Sequence, residues 1–156
     1  VGTARSEPSA TEYGGDKGIL YAGNNDVINL NTSQLIDNTG VLSADVSGVG
    51  TARDWACGVA YGSDRGLFCF GDQDGGANYY NLVSNLGVIQ SDQSTAATDR
   101  HSMAGTQYGI DKAIVVQGYS SGYFQASNTI SNTGTISADI SNSQAQRRRH
   151  AACSFN

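Results

Sequence analysis

An all-β repeat fold is what this sequence predicts, on three observations. The stretch Arg53 to Gly71, RDWACGVAYGSDRGLFCFG, has counterparts at Arg5 (RSEPSATEYGGDKGILYAG) and Arg100 (RHSMAGTQYGIDKAIVVQG), and a fourth begins at Arg147 (RRRHAACSFN). The Arg positions step by 48, 47 and 47 residues, and Tyr13, Tyr61, Tyr108 and Phe155 each follow their Arg by eight. A fixed period of this length marks a repeat architecture. Apolar residues alternate at strand period, and no stretch sustains helical periodicity. Finally, 20 glycines against one proline, with 38% hydrophobic and 15% charged residues, describe a turn-rich, weakly charged chain.

The second repeat sets the pattern. Trp55, Cys57, Val59 and Tyr61 alternate with smaller residues and read as a first strand. Gly62-Ser63-Asp64-Arg65 turns the chain, as do Gly14-Gly15-Asp16-Lys17 and Gly109-Ile110-Asp111-Lys112, by hairpin chemistry. The unbroken apolar run Gly66 to Phe70, with relatives Gly18 to Ala22 and Ala113 to Gln117, suits a strand covered on both faces. A variable loop follows. Third strands are expected at Gln34–Ile36, Asn81–Ser84 and Ser127–Ile130, closed by Asn-x-Gly turns at Asn38, Asn85 and Asn132. Fourth strands are expected at Val41–Asp45, Val88–Asp92 and Thr135–Asp139.

Four short strands per ~47 residues is the size of a β-propeller blade. Residues 1–156 then form a single repeat domain, with repeats at about 5–52, 53–99 and 100–146 and a spare first strand at 147–156. Closed propellers need about four to eight blades. Three blades leave apolar faces open, so a homo-oligomer (a dimer closing a six-bladed ring, or a longer assembly) or a longer array is expected to complete it. The opening VGTAR recurs at Val49–Arg53, as it would in a chain processed or cut from a longer one.

The phrases GVGTAR, YGGDKGILYAG and NLVSNLGV resemble kelch-like propeller repeats of tail-fibre and other virion-associated proteins of tailed, often marine, phages. The residues that carry this are Gly50-Thr51-Ala52-Arg53, Tyr61-Gly62, Asp64-Arg65, Gly71 and Asn81 to Asn85, with their copies. The resemblance covers essentially the whole chain. Glu7-Pro8 in the first repeat departs from it. It implies a virion or extracellular location, and it says little of function, because propellers host unrelated activities.

Several groups invite a chemical reading. Arg53, Arg100 and Arg147 each lie eight residues after Asp45, Asp92 and Asp139, which reads as structural ion pairs tying each blade to the next, in a series headed by Arg5. Asp16, Asp64 and Asp111 beside Lys17, Arg65 and Lys112 read as turn chemistry. Asp72-Gln73-Asp74-Gly75-Gly76 hints at a calcium loop but has no bidentate Glu, so no metal and no cofactor is assigned. His101 and His150 have no G-x-S-x-G partner and no zinc spacing, and no carboxylate pair stands out for glycoside cleavage. Cys57 and Cys69 fall opposite each other, as free thiols or a cross-strand disulfide, and Cys153 reads as a core residue or an inter-chain link. Arg147 to His150, the only basic run, reads as a solvated or ion-paired rim.

The best candidates for binding are Asn78-Tyr79-Tyr80 and the loop with Tyr119, Tyr123 and Phe124, at one place in successive blades. Tyr with Ser, Gly and Asn offers flat apolar contact and adaptable hydrogen bonds. The competing reading packs these rings between blades. A net charge of −5 argues against nucleic acid, and no apolar run reaches the ~18 residues that span a bilayer. The expectation is a non-enzymatic, tail-fibre-like module binding cell-surface glycan or protein through blade loops, with avidity from copies of one site. Its alternatives are a purely structural fibre or particle-decorating protein assembled by strand exchange and, more remotely, a glycan-active enzyme.

Overall fold

A computed structural model of the chain describes residues 2–73 and 76–154. Among these the structure is all β, in three antiparallel sheets. The first holds β1 (Ser9–Tyr13), β2 (Lys17–Tyr21) and β3 (Ser33–Ile36); the second holds β4 (Cys57–Tyr61), β5 (Arg65–Cys69), β6 (Tyr79–Val83) and β7 (Gln93–Ser94). The third holds β8 (Ala104–Tyr108), β9 (Lys112–Val116), β10 (Ala126–Ile130) and β11 (Ile140–Ser141). Each sheet runs in chain order, so each repeat folds on itself as a meander. No closed sheet forms among the described residues.

The local reasons are those of strand chemistry. Cys57, Val59 and Tyr61 of β4 are buried while Gly58 and Ala60 between them are less so. The turn into β5 places both Gly62 (φ 62°) and Ser63 (φ 74°) in the left-handed region. The third repeat does so with Gly109 and Ile110, accepting strain at a β-branched residue. Neighbouring turns are linked, since the Gly14 N–H donates to the Asp64 carbonyl at 2.7 Å and Gly62 to Asp111 at 2.8 Å.

Sheets meet chiefly along their first strands: β1 lies against β4 and β5, and β4 against β8 and β9. Close approach requires glycine there, because a Cβ on Gly58 would sit 2.2 Å from the Ala10 carbonyl oxygen. One core, with Tyr13, Ile19, Tyr21, Phe68 and Val83, lies between the first and second sheets. The other, with Val59, Tyr61, Leu67, Val115 and Ile130, lies between the second and third. The middle sheet is thus covered on both faces, and Gly66 to Cys69 of β5 are all buried. Flanking strands β2 and β9 bury alternate residues only, because each has one face without a neighbouring sheet.

Two expectations change. The segments ending at Asp45, Asp92 and Asp139 are not continuous strands; each makes an isolated bridge (at Leu42, Ile89 and Ile136), and β7 and β11 begin only after the aspartate. Side chains interrupt the ladder there: the Leu35 N–H donates to Ser43 Oγ at 2.9 Å and the Thr129 N–H to Ser137 Oγ at 3.0 Å. The spare strand from Arg147 does not form over its described residues, and Phe155 lies outside them.

Candidate functional site

Two constructions recur in every repeat, and they use neighbouring residues. The first is a clamp around the repeat arginine. Arg53 is fully buried; its Nη2 donates to Asn81 Oδ1 at 2.6 Å and its Nη1 to the Thr51 carbonyl at 3.2 Å. Asn81 Nδ2 donates onward to Asp92 Oδ1 at 2.8 Å, and the Thr51 N–H and hydroxyl cover Asp92 Oδ2 at 2.9 and 2.7 Å. Arg100, Asn128, Asp139 and Thr98 repeat the arrangement. In the first repeat Gln34 stands at the asparagine position and turns to the Ser43 carbonyl, so Arg5 meets Asp45 directly at 2.7 Å. Burial raises the Asp92 and Asp139 carboxyls, but hydrogen bonds from Thr and Asn with the arginine charge outweigh it and hold both below the usual range. Thr3 chiefly does the same for Asp45.

These pairs correct the spacing argument. Each arginine binds the aspartate that ends its own repeat (Arg53–Asp92 3.8 Å, Arg100–Asp139 3.7 Å), not the one eight residues before it. What links one repeat to the next is the arginine's backbone. Its carbonyl accepts from the glycine after the preceding second strand: Gly23 to Arg53, Gly71 to Arg100 and Gly118 to Arg147. The guanidiniums also stack backward, Arg53 over Tyr21 at 5.3 Å and Arg100 over Phe70 at 4.2 Å.

The second construction is a rim, one residue further along. The residue after Arg5, Arg53 and Arg100 bridges the residue after the glycine that follows the second strand of its own repeat: Ser6 with Asn24, Asp54 with Asp72, His101 with Tyr119. The next residue, Glu7, Trp55, Ser102 or Arg149, always has positive φ, between 51° and 58°. From each glycine springs a short loop closed on its carbonyl by Leu30, Ala77 or Phe124. The closing hydrogen bond recurs, across seven residues in the first loop and six in the others, and the side chains differ.

At the third repeat the rim is aromatic and cationic. Tyr119 and Tyr123 stand edge to face, centroids 5.8 Å apart, and His101 lies 5.5 Å from Tyr119. Arg148 covers both tyrosines at 4.7 and 5.5 Å, and Arg149 covers Trp55 at 4.5 Å. His101 Nε2 is 3.8 Å from Asp72 Oδ2. At the second repeat the rim is acidic. Burial, then the charges of Glu7 and Asp72, push Asp54 up to about 6.

Of the residues expected to bind, Tyr119 and Tyr123 come together. Phe124 lies under Arg100 at 4.9 Å, and Tyr80 belongs to the core. Tyr79 is half-buried with its hydroxyl on Gln73, and Asn78 is exposed. Asp54, Trp55, Asp72, His101, Arg148 and Arg149 were missed by sequence reasoning. Their signal was positional: the same two offsets in each repeat, with different residues. The arginine run, expected as a solvated or ion-paired rim, is exposed, and within it Arg148 and Arg149 also lie over aromatic rings.

Elsewhere, a cavity of about 310 Å³ lies between the first strands, lined by Glu12, Gly58, Gly105, Gln107 and Cys153. Cys57 and Cys69 are in register, buried and free, and burial raises the Cys69 thiol well above its usual range. Cys153 is exposed. No group of three or more His, Cys, Asp or Glu able to hold a metal exists among the described residues, and Asp74 and Gly75 of the calcium-like stretch lie outside them. Among the described residues no helix is long and apolar enough to cross a membrane. No family model matches the chain, and no curated protein matches it significantly.

Proposed function

We propose that the chain is a non-catalytic recognition module of a virion or extracellular appendage, its sheets being blades of a kelch-like β-propeller, which binds a cell-surface glycan or protein at the rim. One observation carries this reading: beside the buried clamps, a recurring left-handed residue and a recurring loop-closing hydrogen bond present loops whose side chains differ in every repeat. Scaffold positions in a repeat protein keep their residues, and recognition positions vary. With unlike side chains the loops act together as one composite site, in place of avidity from copies of one site. Glycan-array and receptor-capture binding of Y119A/Y123A tests it. Loss of binding with unchanged thermal unfolding is expected; retained binding refutes it.

A second reading, assembly into a fibre or closed ring, is favoured by the third sheet. Its free face leaves Tyr108 40% exposed and forms a groove of about 370 Å³ along Ile114 and Val116, where the first two sheets receive the next. Native mass measurement decides it: a dimer or longer assembly is expected, and a monomer at high concentration removes it.

A further inference from the structure

We propose that the rim at the third repeat takes an acidic saccharide, its carboxylate or sulfate held by Arg148 and Arg149; this rests on the recognition reading above. In a chain with 14 Asp and Glu against nine Lys and Arg, a cation ordinarily finds a carboxylate. Arg5, Lys17, Arg53, Arg65 and Arg100 all do, while the exposed Lys112 has no such partner among the described residues. Arg147, Arg148 and Arg149 are exposed and have no ion-pair partner among the described residues.

Nor are they loose. Tyr119, Tyr123 and Trp55 hold the guanidiniums of Arg148 and Arg149, and the Arg149 N–H donates to the Ser102 carbonyl at 3.0 Å. A guanidinium stacked on a ring engages its face and keeps its N–H edge for an acceptor. Two pre-positioned edges on consecutive residues suit bidentate capture of an oxyanion, with part of the ordering entropy already spent.

The surroundings select among anions. Glu7, Asp54 and Asp72 form an acidic flank beside Trp55, which repels a ligand charged at every unit, such as nucleic acid. A saccharide with one acidic group among neutral sugars carries its charge sparsely and offers a flat pyranose face. Tyr123, 52% exposed, still has surface for that face.

The test is calorimetric titration of the full chain with sialyllactose, a monosulfated lactose, neutral dextran oligomers and a single-stranded DNA oligonucleotide. At least one acidic saccharide is expected to bind, to weaken with salt, and to lose about tenfold or more affinity in R148A/R149A. The lysine pair R148K/R149K is expected to recover part of it, since charge returns without the bidentate edge. Unchanged thermal unfolding verifies the fold, and the single variant R148Q serves if the double one is unstable. Equal binding by R148A/R149A, preference for dextran, or equally tight DNA overturns the proposal. A neutral glycan or protein bound through Tyr119 and Tyr123, indifferent to the arginines, overturns this inference and leaves the recognition reading standing. No binding to any glycan or protein overturns both.

Discussion

Arg100 and His101 are neighbours in the chain and belong to different regimes, as do Arg53 and Asp54. The arginine is buried in a clamp built from Thr, Asn and Asp in the second and third repeats, with Gln34 in place of the asparagine in the first. The next residue stands on a rim where Ser6, Asp54 and His101 occupy one structural position. The difference teaches how a repeat protein separates stability from surface variation: side chains that cost most to bury unpaired are fixed, and those beside them are free to diverge.

Breaking the clamp is expected to give the largest effect. Arg53→Met strands Asn81 and Asp92 without their cation, and by analogy with buried pairs should cost about 3–5 kcal/mol in chemical denaturation. Asn81→Leu removes the link between Arg53 and Asp92 and should cost a somewhat smaller amount, about 2–3 kcal/mol, read the same way. In the first repeat the direct Arg5–Asp45 pair bypasses Gln34, so Gln34→Leu should cost less than Asn81→Leu.

Acid sharpens the comparison, because the two regions respond with opposite sign. Asp45, Asp92 and Asp139 have depressed folded-state values. Their contribution is present above the unfolded carboxyl value and is lost as pH falls through the folded one, so the clamps weaken below about pH 4. Asp54 is raised from 3.8 to about 6, so the folded state holds its proton more tightly than the unfolded. Its ionisation removes stability as pH rises from about 4 to about 6. Asp54→Asn should therefore stabilise the chain at pH 7 by about 1 kcal/mol or less, after screening, with no gain at pH 4. Urea titrations at both values read the difference. The smallest effect belongs to Y119A/Y123A, which should shift stability little beyond the roughly 0.5 kcal/mol typical of surface positions.

How much of this was legible in the sequence follows from the same division. Repeat length, hairpin turns and the first three strands could be read because Gly-Asp turns and period-two alternation are local signals. The buried β5 could be read because Leu67, Phe68, Cys69 and Phe70 leave no polar face. Partnership of the arginines could not. Asp45 lies eight residues before Arg53, yet a meander returns each repeat's end to its own beginning, and Thr51 with Asn81 decides that Asp92 is the partner. Nor could the rim, since its residues share a position and no chemistry. Tyr119 and Tyr123 drew notice by composition alone; Arg148, which covers them, lay in a run whose bland reading was solvation.

The most direct test compares the two neighbours, measuring urea unfolding of Arg100→Met beside His101→Ala at pH 7. The account predicts a loss of about 3–5 kcal/mol for the first and under about 1 kcal/mol for the second. Equal losses, or a larger one at His101, would contradict the separation of clamp from rim.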